Sequence, residues 1–376
     1  MLDNEPPRGG YHQFRGRNAL PVWLRRAGYR TAHVGKYLNG YGYPDPREVP
    51  PGWDDWYATT NATSYKMFNF DLNVNGRLVG YGDRSSDYQT DVLASKASRY
   101  IAARARRGAP FFLSVAPVAP HRDGSRSGFP NPLPAPRHAG AFRDEPLPRP
   151  PSFNEDDVSD KPPEIHGRLS ARQIRDVKKG YRSELESLLA VDDLVERLIG
   201  TLRRTGQLDD TVVAFTSDNG YFHGEHRLKF VKSWMYEEAT RVPLLVRGPG
   251  FPPGATRDQL VANVDLAPTI VDLANASAER RMDGRSLVPL ARDPTTGRTR
   301  DVLLEAHDPP RPAYSAIRTL RYVYAEYREG YRELYDLERD PFQLESVHDD
   351  PEYRVVRLEL AQRLAELKDC AGASCR

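Results

Sequence analysis

Three short stretches of the sequence place polar, chemically capable side chains directly after apolar, β-branched runs. Lys36 follows the first run, His121 follows the second, and Asp218 with Asn219 follows the third, while Lys232 lies a little downstream. In an open α/β sheet, ligands bind outside the carboxyl ends of the strands. Two ammonium groups, one imidazole and an Asp–Asn oxygen pair could hold a divalent cation beside a tetrahedral oxyanion. None of these residues is an obvious nucleophile.

Each of these residues also has an ordinary structural interpretation when it is taken alone. Asp218, Asn219 and the glycine after them are common turn residues. A lone histidine at a strand end usually serves as a hydrogen-bonded structural residue, and a lysine there simply extends to water. The pair Asp192–Asp193 could be read as a metal site, but its place within a long helical pattern favours a solvated or capping helix face.

Charge and composition exclude several classes of function. The chain has 376 residues, and its 54 Lys and Arg nearly balance its 52 Asp and Glu, for a formal net charge of +2. Such a balance gives no support to nucleic-acid binding through a bulk positive field. No apolar run approaches the ~18 residues of a membrane span, and the N-terminal residues show no signal-peptide pattern. Cys370 and Cys375 could form a short disulfide loop or remain two free thiols.

Hydrophobic periodicity predicts alternating helices and strands, and hence an α/β fold. We expect a mostly parallel sheet sandwiched by helices, followed by a small C-terminal α+β part, with domains at residues 1–308 and 309–376. Residues 124–163 read as a long surface loop, and residues 316–337 as antiparallel strands. The other predicted strands are Tyr29–Leu38, Pro110–Ala119, Thr211–Thr216, Val242–Arg247, Leu260–Val264 and Val302–Glu305; the predicted helices are Ala19–Gly28, Asp87–Arg107, Ser170–Gly206 and Glu352–Leu367.

Taken together, the ordered motifs resemble the sulfatase family of the alkaline-phosphatase-like superfamily. Within it, they are most similar to N-acetylglucosamine-6-sulfatases and related bacterial sulfatases. The resemblance runs nearly from end to end of the chain. Its motifs include Gly35-Lys36-Tyr37-Leu38-Asn39, Ala119-Pro120-His121, Ser217-Asp218-Asn219-Gly220-Tyr221, Val242-Pro243-Leu244-Leu245-Val246-Arg247-Gly248-Pro249-Gly250 and Glu333-Leu334-Tyr335-Asp336-Leu337.

The resemblance implies roles for the site residues. Asp218 and Asn219 would be half of a divalent-metal site, most often calcium in this family. Lys36 would stabilise developing negative charge, and His121 would assist the leaving oxygen. Lys232 would grip the sulfate, and the resemblance also places His226 in the substrate pocket. Where many family members have a histidine two residues after the lysine, this chain has Leu38, a feature shared with the glucosamine-6-sulfatase branch.

The family's nucleophile is a formylglycine made from the first residue of a Cys-x-Pro-x-Arg (or Ser-x-Pro-x-Arg) segment, and no such Cys segment occurs in these 376 residues. In the family this segment and an acidic metal-binding pair precede the region that matches here. We therefore expect a sulfuric ester hydrolase truncated at its N-terminus and inactive as given. A catalytically dead module that binds sulfated glycans, or a phosphodiester or phosphonate hydrolase of the same superfamily, would also fit these residues.

The resemblance also suggests partners and a location. We expect a sulfate-ester small molecule or a sulfated glycan as the substrate, and neither nucleic acid nor a membrane span as a partner. A formylglycine-generating or equivalent maturase would act on the full-length form. That form would be extracytoplasmic or secreted, although no signal peptide is present in this chain.

Overall fold

The computed structural model describes residues 9–125, 131–296, 300–307 and 313–375. Seven α-helices and eleven β-strands lie within these ranges. The helices are α1 (Leu20–Arg26), α2 (Gln89–Ala105), α3 (Ala171–Arg204), α4 (Glu237–Thr240), α5 (Leu266–Leu273), α6 (Val288–Arg292) and α7 (Arg354–Lys368); the strands are β1 (Arg30–Gly35), β2 (Asp55–Thr59), β3 (Asp71–Val74), β4 (Arg77–Gly80), β5 (Phe111–Ala116), β6 (Val213–Thr216), β7 (Leu244–Arg247), β8 (Val302–Ala306), β9 (Tyr314–Arg318), β10 (Tyr322–Tyr327) and β11 (Arg332–Asp336).

The chain forms two compact units, each assembled from separate segments. The first comprises Met1–Leu147, Lys178–Thr211 and Ala274–Arg280, and the second comprises Pro148–Val177, Val212–Leu273 and Arg281–Arg376. The domain boundary predicted at residues 308–309 falls outside the described residues and stays a prediction. No helix in the described ranges is long and apolar enough to cross a membrane.

The first unit is built on a five-stranded sheet in the order β4-β3-β2-β1-β5. Alternation along β1 sends Val34 to one face, where it packs with Leu72, Val92 and Leu194, the last two from α2 and α3. On the other face, the His33 ring lies against Trp53 and Trp56, with centroid separations of 5.5 and 4.9 Å. Both faces of β1 are therefore covered, which explains its nearly continuous run of buried residues.

The second unit contains the antiparallel pair β6–β7 and an antiparallel sheet in the order β11-β10-β9-β8. Helix α7 covers the four-stranded sheet, and Leu360 and Leu364 pack against Ile317, Tyr324 and Leu334. The predicted C-terminal antiparallel sheet with a final helix is thus confirmed.

The α/β class is confirmed, but the sheet is mixed rather than mostly parallel. Strand β1 is parallel to β2 and β5, while β2–β3 and β3–β4 are antiparallel. The β3–β4 hairpin turns at Asn75 and Gly76, which have φ values of 51° and 87°. Two consecutive positive φ angles match the right-handed twist of the flanking strands, which is why Asn-Gly favours this tight turn.

The strand predicted at residues 260–264 is wrong. A 3-10 turn at Asn263–Asp265 leads directly into α5. The fully buried Asp265 carboxylate accepts hydrogen bonds from the backbone N–H of Ala262 at 2.8 Å and of Arg285 at 2.8 Å, and it pairs with Arg300 at 2.6 Å. These hydrogen bonds to the Asp265 carboxylate stabilise a turn, so the nearby apolar residues do not form the predicted strand.

Two questions that the sequence left open are answered by side-chain contacts. Cys370 and Cys375 form a disulfide. Asp193 accepts hydrogen bonds from Arg137 Nε at 2.9 Å and His138 Nε2 at 2.7 Å. Burial alone would raise the pKa of Asp193, but these two partners outweigh burial and lower it. Asp193 therefore fastens the 136–138 segment to α3 and does not belong to a metal pair.

Candidate active site

Lys36 leaves the sheet at the carboxyl end of β1, where the backbone is tightly constrained. Gly35 has φ 119°, and a Cβ there would collide with the carbonyl oxygen of Ala116 in β5. The Lys36 N–H donates to that same oxygen at 2.8 Å. Because only glycine allows this approach, the ends of β1 and β5 are locked together and fix where the Lys36 side chain starts.

Around Lys36 lies a group of half-buried polar side chains that we name the Lys36 cluster: Lys36, Asn39, Tyr65 and His121. Lys36 Nζ donates to Asn39 Oδ1 at 2.9 Å and lies 5.4 Å from the centre of the Tyr65 ring. The ring of Tyr65 contacts the His121 ring with a centroid separation of 4.4 Å. The structure thus brings together Lys36 and His121, two of the predicted catalytic residues.

His33 supports the Lys36 cluster from inside the sheet. Its Nε2 lies 3.2 Å from the carbonyl oxygen of Lys36, and its Nδ1 lies 3.3 Å from Ser114 Oγ. Burial lowers the pKa of His33 to about 4, outweighing the hydrogen bonds that the ring donates to the backbone and that would raise it. The imidazole is therefore neutral at pH 7 and binds a proton mainly after unfolding.

Acidification should destabilise the protein through His33. Because its folded pKa of about 4 lies below the ordinary 6.5, the unfolded chain binds an extra proton as the pH falls from 6.5 to 4. The free energy of unfolding should drop by about 3 kcal/mol over this window from His33 alone. Urea denaturation at half-unit pH steps measures the slope. His33→Gln should reduce the slope, with His12→Gln at an exposed position as the matched control; an unchanged slope in His33→Gln would contradict the assignment.

In the second unit, the chain leaves β6, passes through Ser217 and bends at Asp218; we name residues Asp218, Asn219 and Gly220 the Asp218 turn. Asp218 is exposed, and Asn219 is half-buried. The side chain of Ser217 donates to the Asn219 carbonyl at 2.9 Å, and the Asn219 amide nitrogen donates to the Gly220 carbonyl at 2.9 Å. The second of these bonds fixes the orientation of the amide group.

Lys232 lies in contact with this turn. Its Nζ donates to Asn219 Oδ1 at 2.7 Å. An ammonium group and an amide oxygen are therefore in contact, and the exposed Asp218 precedes Asn219 in the chain. The arrangement offers a positive charge to an oxyanion and hard oxygen atoms to a cation.

His226 lies in the interior of the second unit and has no exposed surface. Its Nδ1 lies 2.9 Å from Glu155 Oε2, and its Nε2 lies 3.6 Å from Glu238 Oε2. Burial alone would lower the pKa of His226, but the two carboxylates outweigh burial and raise it. The ring is thus enclosed by protein side chains, and the substrate contact predicted for His226 stays a prediction.

The Asp218 turn fits one part of a metal site. Carboxylate and amide oxygens suit Ca²⁺ or Mg²⁺ better than Zn²⁺, and Asp218 and Asn219 supply one of each. Calcium takes about 6–8 oxygen ligands, and the described ranges contain no group of three or more acidic, histidine or cysteine side chains that could hold a metal ion. The two residues can therefore contribute ligands but do not complete a site.

Two protein families match this chain, and together they cover nearly its whole length. The Sulfatase family matches residues 3–276, and the C-terminal family of N-sulphoglucosamine sulphohydrolase matches residues 224–370. Human N-acetylglucosamine-6-sulfatase is 34% identical over 96% of this chain and 71% of its own length. The extracellular sulfatase SULF-1 homolog of Drosophila melanogaster is 32% identical over 72% of this chain and 23% of its own length.

A solved structure extends this similarity to three dimensions. BT4656 in complex with its substrate D-glucosamine-2-N,6-O-disulfate superposes with a TM-score of 0.77, at 25% identity over 98% of this chain and 84% of BT4656. The chain belongs to the sulfatase family. It is a sulfuric ester hydrolase, and membership of the family implies a metal ion and a formylglycine nucleophile.

Sequence reasoning missed the side chains that surround the predicted residues. Asn39 and Tyr65 contact Lys36, His33 contacts its backbone, and Glu155 and Glu238 enclose His226. Asn39 stands within the Gly35–Asn39 motif, so its proximity to Lys36 could have been inferred. Tyr65 and Glu155 lie in irregular segments without periodicity, and no sequence signal indicated their partners.

Proposed function

We propose that this chain, once supplied with the formylglycine segment that its 376 residues lack, removes the 6-O-sulfate from glucosamine units of sulfated sugars. The observation that carries the proposal is the contact between Lys232 Nζ and Asn219 Oδ1, 2.7 Å, beside the exposed Asp218 carboxylate. An ammonium group next to hard oxygen donors suits a sulfate group whose oxygens also face a metal ion. The similarity to N-acetylglucosamine-6-sulfatase and to a sulfatase that binds a glucosamine disulfate supports the choice of sugar.

In this proposal each predicted residue has a separate task. Lys232 holds the sulfate group, and Lys36 stabilises negative charge that develops on its oxygens. His121 donates a hydrogen bond or a proton to the departing alcohol oxygen. The half-buried positions of these three side chains reduce their contact with water and so strengthen their electrostatic effect.

The metal proposed for the Asp218 turn is Ca²⁺. Asp218 and Asn219 would hold it, and when bound it supplies positive charge that polarises the sulfate ester. The proposed nucleophile is formylglycine, made by a formylglycine-generating or equivalent maturase. We also propose an extracytoplasmic or secreted location, which the disulfide between Cys370 and Cys375 and the extracellular relative support.

The position of the sulfate on the sugar tests the proposed substrate. The enzyme for this assay is the chain joined to an upstream Cys-x-Pro-x-Arg segment whose cysteine has been converted to formylglycine. In that enzyme, kcat/KM for sulfate release from N-acetylglucosamine-6-sulfate should exceed that from a 2-N-sulfated glucosamine by at least about 100-fold, because a positioned site distinguishes two attachment points. Ion chromatography of the released sulfate measures both rates. Equal rates, or faster release from the 2-N position, would refute the 6-O assignment.

A further inference from the structure

The loop that carries His226 is held in an unusual backbone conformation. His226 and Arg227 have φ values of 49° and 60°, although neither is glycine. The His226 N–H donates to the Ser152 carbonyl at 2.7 Å, and Arg227 Nε donates to the Glu155 carbonyl at 2.8 Å. Positive φ angles at such residues persist only where the surroundings determine them, and they cluster at functional sites.

The surroundings of the His226 ring are charged as well as aromatic. The ring stacks on Tyr236 with a centroid separation of 4.1 Å, and its two nitrogens face Glu155 and Glu238. The Lys161 ammonium lies 3.4 Å from the other oxygen of Glu155. A phenylalanine would satisfy the stacking, so the two carboxylates are the contacts that require a histidine.

Tyr236 is itself fixed by the C-terminal sheet. Its hydroxyl donates to Glu333 Oε1 at 2.8 Å, and Tyr335 and Tyr327 donate to the same carboxylate at 2.6 Å each. Glu333 is fully buried. The Tyr236 ring, on which His226 stacks, is therefore held in place by side chains of strands β10 and β11.

The backbone of residues 238–239, next to His226, forms hydrogen bonds with the Asp218 turn and the residue after it. The Tyr221 N–H donates to the Glu238 carbonyl at 2.9 Å, and the Gly220 N–H donates to the Ala239 carbonyl at 2.8 Å. A Cβ at Gly220 would collide with the carbonyl oxygen of Glu238. The turn thus rests directly on residues 238–239, and any shift of Glu238 shifts the turn.

Backbone hydrogen bonds also connect the chain after the Asp218 turn to the segment that contains Lys232. The Phe222 N–H donates to the Val231 carbonyl at 3.2 Å, and the Phe230 N–H donates to the Phe222 carbonyl at 3.2 Å. These two bonds hold the chain on either side of the His226 loop together. They bring Lys232 Nζ within 2.7 Å of Asn219 Oδ1.

We propose that His226 is a positioning residue: held between Glu155 and Glu238, it fixes the Glu238 segment, and through it the Asp218 turn and Lys232. The functional consequence of this role rests on the proposed function, in which that turn and Lys232 bind metal and sulfate. The imidazole is joined to the turn by the ion pair between His226 Nε2 and Glu238 Oε2, whose 3.6 Å separation is longer than a hydrogen bond.

Hydrogen exchange of the Gly220 and Tyr221 amides tests the positioning role without any need for catalysis. In His226→Gln, exchange at these two amides should accelerate about 3- to 30-fold, because the carbonyls that accept their hydrogen bonds are no longer held. Amides of β9–β11 should keep their wild-type rates. His348→Gln is the matched control, because His348 lies in the same unit and stacks on Tyr324 of the C-terminal sheet.

A kinetic readout separates positioning from general stability. In enzyme that carries formylglycine, His226→Gln should raise KM for a sulfate ester more than it lowers kcat, because misplaced binding groups weaken binding before the chemical step. The amide exchange tests the positioning role of His226 even if no sulfatase activity is found. A failure of the proposed function can therefore be distinguished from a failure of the positioning role.

Glu238→Gln provides a second variant should His226→Gln not fold. It removes the charge that faces His226 but keeps a side-chain oxygen for the 3.2 Å bond from Ser152 Oγ, and it should accelerate exchange at the same two amides. Selective acceleration at Gly220 and Tyr221 in the variant that folds supports the proposal. Wild-type exchange at these amides, or acceleration that extends equally to β9–β11, would overturn it and leave His226 as a residue of the packed interior.

Discussion

Replacing Lys232 with alanine is expected to lower kcat/KM for a sulfate ester by about 10²- to 10³-fold. Lys232 Nζ lies 2.7 Å from Asn219 Oδ1, so its loss removes the positive charge next to the proposed metal ligands. Because that charge acts in the ground state and more strongly in the transition state, KM should rise while kcat falls. Initial rates of sulfate release, measured with enzyme that carries formylglycine, give both parameters.

Lys229→Ala is the matched control for this experiment. Lys229 is three residues away in the same segment, and its ammonium lies 5.9 Å from the centre of the Phe230 ring. Lys229 is half-buried, as Lys232 is, but its ammonium faces an aromatic ring and none of the proposed metal or sulfate ligands, so its loss should leave both parameters within about threefold of the wild type. A Lys232→Ala enzyme that matches Lys229→Ala in both parameters would show that Lys232 does not hold the sulfate.

Replacing His121 with alanine is expected to slow different esters by different amounts. Sugar sulfates have a poor alkoxide leaving group, so losing the proposed proton donor should cost about 10²- to 10⁴-fold in kcat. Activated aryl sulfates release a phenolate that needs little help, and they should slow by less than about tenfold. The measurement compares kcat for one ester of each kind, with His12→Ala at an exposed position as the control. Equal slowing of both esters would make His121 a structural residue that packs on Tyr65.

The strands and helices that position the site followed from local sequence patterns. Strands β1 and β5 and helix α2 were predicted because each is a short apolar run or an amphipathic repeat. The β3–β4 hairpin was missed although Asn75-Gly76 between apolar residues is a strong turn signal. The sequence therefore contains the turn signal, but strands of only four residues are too short to stand out as apolar runs.

Other features depended on contacts between distant residues. The predicted strand at residues 260–264 failed because Asp265 caps a turn with the help of Arg285 and Arg300, which follow 20 and 35 residues later. The burial of His226 depends on Glu155, 71 residues earlier in the chain. The motifs indicate candidate site residues, but tertiary packing determines that Lys232 is half-buried whereas His226 is fully buried.

The class of ester hydrolysed tests the central claim most directly. Enzyme that carries formylglycine should be assayed with a sulfate monoester, a phosphate monoester and a phosphonate monoester that share one leaving group. The account predicts that kcat/KM for the sulfate ester exceeds the other two by at least about 100-fold, and that Lys232→Ala abolishes most of this preference. Faster hydrolysis of the phosphate or phosphonate ester, or binding of the sulfate ester without any turnover, would contradict it.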